Sequence, residues 1–182
     1  NKDYGSNGIY ISNTQINRDQ AGIQIRGLIE SEGEMVQDVW VSHVILDPDN
    51  QEVAKVGNSV NIKSTEFLEV KSDEIIIDEP LLWSPDHPNL YSVRSEIYID
   101  GRLTDRVVNP LGLRWFHMDP NEGFFLNGEA LRLIGTNRHQ DYENLGNALP
   151  DHLHIEDVKM IKEAGFNFLR LAHYPQDPAV LN

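Results

Sequence analysis

The chain has 182 residues, with 15 Lys or Arg against 29 Asp or Glu, a formal net charge of −14. So acidic a chain lacks the cationic footprint that draws a protein to a phosphate backbone or an anionic membrane surface, which excludes sequence-independent nucleic-acid and membrane binding. With no Cys, disulfides, zinc–thiolate sites and cysteine nucleophiles are excluded too.

Residues 1–7 are polar with no apolar export core, and the chain opens on Asn1 rather than Met, as expected of a processed or excised segment. Residues 9–117 then read as β structure, because short β-branched and aromatic runs alternate with polar residues. Ile23 and Ile25 alternate with Gln24 and Arg26. Val39, Val41, His43 and Ile45 share one face, and Tyr91, Val93, Ile97 and Ile99 another. Asp47-Pro48-Asp49-Asn50 is a turn signal, and Asp100-Gly101 is a hairpin signal between Ile99 and Leu103. About seven such strands fit an immunoglobulin-like β-sandwich over residues 1–117.

After Trp115-Phe116-His117 the pattern changes. Phe124 to Glu129 is hairpin-like, and two strand-like runs, Leu131–Gly135 and Phe166–Leu171, flank a helix. Ile155, Val158, Ile161 and Ala164 recur on its apolar face, with Met160 close by. Asp151 or a nearby residue is expected to cap it and Gly165 to end it. Strand, helix, strand implies a βαβ unit and a parallel pair. Residues 118–182 are thus expected to form the start of an α/β barrel of the TIM type, far short of the ~250 residues that close one. The fold class is mainly β, a sandwich followed by this partial α/β segment.

Barrel active sites lie at the C-terminal ends of the strands, where two polar clusters stand. Gly135 to Tyr142 follows the first expected strand; Arg170, His173 and Tyr174 end the second. Such clusters supply donors and acceptors for a ligand rich in hydroxyls. The plainer reading of His139 and His173 is turn or packing residues. His152 and His154 are expected on a solvated surface rather than at a metal, and His43 belongs to the sandwich. Trp40, Trp83 and Trp115 are expected in the core rather than on a sugar-stacking surface. Glu156 and Asp157 favour the helix dipole and need no catalytic role. No G-x-S-x-G elbow, G-x-x-x-x-G-K-[ST] phosphate loop, G-x-G-x-x-G turn or H-E-x-x-H helix is found.

Several spaced motifs resemble glycoside hydrolase family 2, particularly its β-galactosidases. They are Leu82-Trp83-Ser84-Pro85-Asp86-His87-Pro88-Asn89-Leu90-Tyr91, Leu111 to Arg114, Leu126-Asn127-Gly128, Gly135 to Tyr142, Leu145 to Leu149, and Gly165 to Pro175. Thr136 and Ala172 stand where related sequences commonly carry Val and Ser. The resemblance implies a retaining β-glycosidase acting on terminal β-linked sugars. It implies that His139 and His173 bind sugar hydroxyls or shape the non-reducing subsite, and that Arg170 orients substrate or the catalytic carboxylates. Asn137, Arg138 and Asp141 would support them. The two catalytic glutamates are expected beyond Asn182, and neither Glu143 nor Asp141 replaces them. No cofactor is expected in this segment, and any metal of the parent would draw mainly on other residues. The expected partner is a carbohydrate, the parent can be a homo-oligomer, and cytoplasmic, periplasmic and secreted locations all remain open. The alternative reading, a carbohydrate-binding or structural sandwich module, leaves the βαβ unit unexplained.

Overall fold

A computed structural model describes residues 7–31, 37–63 and 67–181; the first six residues of the polar amino terminus lie outside it. The chain forms two compact units, Asn1–Trp115 and Phe116–Asn182. The division falls two residues before the expected boundary, because Phe116 and His117 already pair within the second unit. No helix among the described residues is long and apolar enough to cross a membrane.

The first unit contains β1 (Ile9–Ile16), β2 (Gln20–Glu30), β3 (Gln37–Leu46), β4 (Glu52–Ile62), β5 (Phe67–Lys71), β6 (Ile75–Asp78), β7 (Tyr91–Ile99) and β8 (Arg102–Leu111). They make an immunoglobulin-like sandwich of two antiparallel sheets. One has the order β1-β2-β5 with β6 also on β2; the other runs β4-β3-β7-β8. Strands β5 and β6 occupy consecutive stretches of the same β2 edge. Arg26 pairs Lys71 and Ile23 pairs Ile75, a register offset of one residue. Ser72 bridges the break: its N–H donates to the Ile25 carbonyl at 2.8 Å and its Oγ accepts from the Ile25 N–H at 3.0 Å. Eight strands therefore fill about seven sheet positions, since one edge is interrupted by a bulge.

Alternation delivers the core. Ala21, Ile23 and Ile25 of β2, Ile45 of β3 and Val93 of β7 are fully buried. The apolar residues fall into two clusters, one around Ile23, Ile45 and Leu113 and one around Ile29, Val41 and Ile62. On β3 the residue between Val41 and Ile45 on this face is His43, which is fully buried and lies 2.8 Å through Nδ1 from the Ser95 hydroxyl. The hairpin joining β7 to β8 turns on Asp100 and Gly101, at φ 51° and 73°, values suited to a two-residue type I′ turn. The loop from Leu82 to Tyr91 is pinned by side chains. Asn89 Nδ2 donates to the Leu82 carbonyl, and the Tyr91 hydroxyl accepts from the Leu81 N–H at 2.9 Å, as in a tyrosine corner. The Arg114 guanidinium sits 4.5 Å above the Trp83 ring. These motifs act through structure.

The tryptophans depart from expectation. Trp83 and Trp115 are half-buried, and Trp40 is 43% exposed on the outer face of its sheet. Residues 38, 40 and 42 alternate with the core-facing set, so the parity of β3 puts Trp40 outside.

The second unit opens with β9 (Phe116–Asp119), β10 (Gly123–Leu126) and β11 (Glu129–Ala130), a small antiparallel sheet. Asn127 and Gly128, at φ 53° and 81°, make the β10–β11 turn. Then come β12 (Gly135–Arg138), α1 (Asp151–Glu163), β13 (Phe168–Leu171) and a short α2 (Pro178–Leu181), with β12 and β13 paired in parallel.

Both parallel strands start later than the sequence suggests. Asn167 is the reason: its Oδ1 accepts from the Ile134 N–H at 2.8 Å and its Nδ2 donates to the Arg132 carbonyl at 3.0 Å. A side-chain amide thus takes the ladder positions ahead of Gly135. Asp151 is the first helical residue rather than the cap, a place Pro150 takes without a side-chain bond. Gly165, at φ 87°, ends the helix in a Schellman arrangement, with Phe166 N–H on the Ile161 carbonyl and Gly165 N–H on that of Lys162. The helix is also rotated from its expected phase. Ile155 and Met160 are exposed, while His154 is 1% exposed. His154 is therefore packed rather than solvated.

Candidate functional site

Parallel register sets the geometry at the C-terminal ends of β12 and β13. Asn137 stands opposite Arg170, and Arg138 opposite Leu171. Side chains alternate, so Asn137 and His139 share one face with Arg170, while Arg138 and Gln140 are buried on the other.

The buried face is held by α1. Arg138 donates through Nε to Asp157 at 2.8 Å, and its Nη2 lies 2.7 Å from the same carboxylate. Nη2 also approaches His154 Nδ1 at 3.0 Å. The Tyr142 hydroxyl donates to the other Asp157 oxygen at 2.6 Å, a bond that raises the pKa of the phenol. Asp157 therefore does more than favour the helix dipole. It fixes the residue between Asn137 and His139 and ties the following loop to the helix.

The open face carries the candidate site. Arg170 donates to Asn137 Oδ1 at 3.4 Å and to His173 Nδ1 at 3.2 Å. An accepting Nδ1 places the proton of the neutral His173 ring on Nε2, as a donor toward a ligand. The His139 and His173 rings meet edge to face, with centroids 5.7 Å apart, and the Tyr174 ring lies 6.2 Å from His139. The Tyr174 hydroxyl accepts from the Gln140 N–H at 3.1 Å, joining the two strand-end loops. The peptide between Ala172 and His173 is cis.

Asn137, His139, Arg170 and His173 are thus brought together and exposed. Asp141 is exposed farther along the loop, outside this set of contacts. The Tyr142, His154 and Asp157 support was missed by the sequence reading. Its signal was Arg138 itself: a guanidinium on a helix-covered strand face requires a counter-charge from that helix. Among the described residues, no group of three His, Cys, Asp or Glu is placed to hold a metal ion.

The arrangement offers a guanidinium, two imidazoles and an amide on one rim. Groups of this kind can donate to and accept from hydroxyls.

Comparison with known proteins gives two family matches: Glycosyl hydrolases family 2 over residues 8–114, and Glycosyl hydrolases family 2, TIM barrel domain, over residues 120–182. A beta-glucuronidase of Bacteroides fragilis is 35% identical over 175 residues, covering 96% of this chain and 25% of that protein. Beta-galactosidase BoGH2A of Bacteroides ovatus is 27% identical over 178 residues, covering 98% of this chain and 21% of its own length. Among solved structures, Bacteroides uniformis beta-glucuronidase 2, covalently bound to cyclophellitol-6-carboxylate aziridine, is 36% identical with a TM-score of 0.93. That match covers 97% of this chain and 21% of the other. The chain spans a quarter or less of the length of these relatives.

Proposed function

The chain belongs to glycosyl hydrolase family 2, and on that premise we propose that residues 116–182 supply one wall of the sugar subsite in a retaining β-glycosidase. The carrying observation is the convergence of Asn137, His139, Arg170 and His173 on the open face of the β12–β13 pair. His173 Nε2–H donates to a sugar oxygen, the His139 ring packs beside it, and Asn137 keeps its Nδ2 donors for hydroxyls. Arg170 keeps donors beyond those given to Asn137 and His173, and these orient either the substrate or a carboxylate of the reacting pair. Asp141 is a more distant contact to the bound sugar. Retaining hydrolysis needs an acid and a nucleophile about 5 Å apart, and both come from residues outside 1–182. The segment itself positions sugar.

The substrate we propose is a terminal β-galactoside, as the strand-end motifs imply. A β-glucuronoside is the second reading, favoured by the 35% and 36% identical relatives that carry that name. A longer protein containing this chain, assayed on nitrophenyl β-galactoside and nitrophenyl β-glucuronide, separates the two by the ratio of kcat/KM. Arg170→Met and His173→Ala are each expected to lower kcat/KM on the better substrate about 100-fold. Unchanged kcat/KM in both variants would overturn the assignment of the subsite. Turnover by residues 1–182 alone would overturn the placement of the carboxylates.

A further inference from the structure

We propose that the sandwich carries a carbohydrate-binding site of its own, on the outer face of the β4-β3-β7 sheet, where a neutral β-linked glycan stacks on Trp40. An open cleft of about 500 Å³ lies there, within the size range of ligand sites. Its lining includes Asp38, Trp40, Ser59, Asn61, Tyr98 and Asp100.

The platform is pre-set. Trp40 sits directly opposite Ser59 on one side and Tyr98 on the other. Its six-membered ring lies over the bare α-carbon of Gly57, where a Cβ would come within 2.2 Å of Cζ2. Glycine thus seats the indole against the sheet and fixes its plane. Held against Gly57, the ring is still 43% exposed and lines the cleft. An exposed, immobilised aromatic ring suits the C–H face of a pyranose, and little side-chain entropy remains to be lost on binding.

Polar groups surround the ring at the places sugar hydroxyls need. Asp38 and Asn61 are paired across β3 and β4, with Asn61 Nδ2 donating to Asp38 Oδ1. One Nδ2 hydrogen, the amide oxygen and the second carboxylate oxygen are left for a ligand. The Tyr98 hydroxyl donates to Glu96 Oε2 at 2.8 Å and so remains an acceptor. Asp100 closes the rim at the β7–β8 hairpin. Carboxylates line the cleft and no Lys or Arg does among the described residues, so neutral sugars are admitted and uronates repelled.

The site rests on the first unit alone, and its failure leaves the reading of residues 116–182 standing. The test uses the whole chain with ¹⁵N-labelled tryptophan side chains, titrated with cellotetraose, β-1,4-galactotetraose and a hyaluronan tetrasaccharide. A neutral tetrasaccharide is expected to shift the Trp40 indole resonance saturably, with a Kd of about 1 mM. The anionic one is expected to bind about tenfold more weakly. Trp40→Leu keeps an apolar cover over Gly57 yet removes the stacking ring, and it should weaken binding about tenfold. Asn61→Ala leaves Trp40 in place and should also weaken it, so it decides the matter if the first variant does not fold. No saturable shift at about 10 mM of either neutral sugar would overturn the proposal. So would shifts confined to the Trp83 and Trp115 resonances, equal binding of hyaluronan, or unaltered affinity in the variants.

Discussion

Acidification should destabilise the sandwich through the buried imidazole of His43. Its imidazole is fully buried. Nδ1 is taken up with the Ser95 hydroxyl, and Nε2 has no hydrogen-bond partner among the described residues. A second proton would bury a cationic N–H with nothing to receive it, and this desolvation lowers the pKa from 6.5 to about 4. The folded state thus holds the neutral ring, whereas the unfolded chain takes up a proton near 6.5. The stabilisation is complete above 6.5 and is lost as pH falls from 6.5 toward about 4. At about 1.4 kcal/mol for each pH unit, the whole interval is worth about 3 kcal/mol, and about 2 kcal/mol of it is spent between pH 7 and pH 5. All three tryptophans lie in the first unit, so urea unfolding followed by their fluorescence reports on this unit. His43→Asn, which can keep the bond to Ser95 without titrating, should flatten the pH dependence by that amount whatever its own stability. Parallel curves for the two proteins between pH 7 and pH 5 would refute the argument.

Arg138→Ala leaves Asp157 without its buried counter-charge and should cost about 3–5 kcal/mol. It should be seen as faster amide exchange along Asp151–Glu163, with Arg138→Met combined with Asp157→Leu recovering most of the loss. Gly135→Ala would put a Cβ 2.7 Å from the Phe168 carbonyl oxygen, a backbone atom that cannot step aside alone. Exchange at Phe168–Leu171 should rise at least about tenfold, and unchanged exchange there would count against the parallel pairing. Gly165→Ala must hold an L side chain at φ 87°. A destabilisation of about 1 kcal/mol, measured by exchange in the last turn of α1, is expected.

Legibility in the sequence followed the physics of each element. Strand alternation was plain wherever one face meets a core, as in Ile23–Ile25 and Val39–Ile45, and two-residue turns announced themselves through Asp100-Gly101 and Asn127-Gly128. The break between β5 and β6 was not visible, because Ser72 does by side-chain bonding what a strand residue does by backbone. Trp40 was misplaced because aromatic character argues for burial while parity argues for the outer face, and parity prevailed. The phase of α1 was misread for a related reason: the helix covers Arg138, so its inward face carries His154 and Asp157 at the cost of exposing Ile155. At the rim, His139, Arg170 and His173 were recognisable as residues at strand ends. Their mutual contacts depend on a register that no local pattern states.

That register is governed from the far end of the strands. By standing in for a peptide group opposite Ile134 and Arg132, Asn167 admits only one alignment of β12 against β13. Slippage by one residue would exchange the two sides of a strand: Arg138 would be turned to the open rim and Asn137 to the helix. A neutral amide on the far side of the pair thereby bears on which of two adjacent side chains faces the open rim. The composition of the open rim thus has a lever at position 167, outside the rim itself.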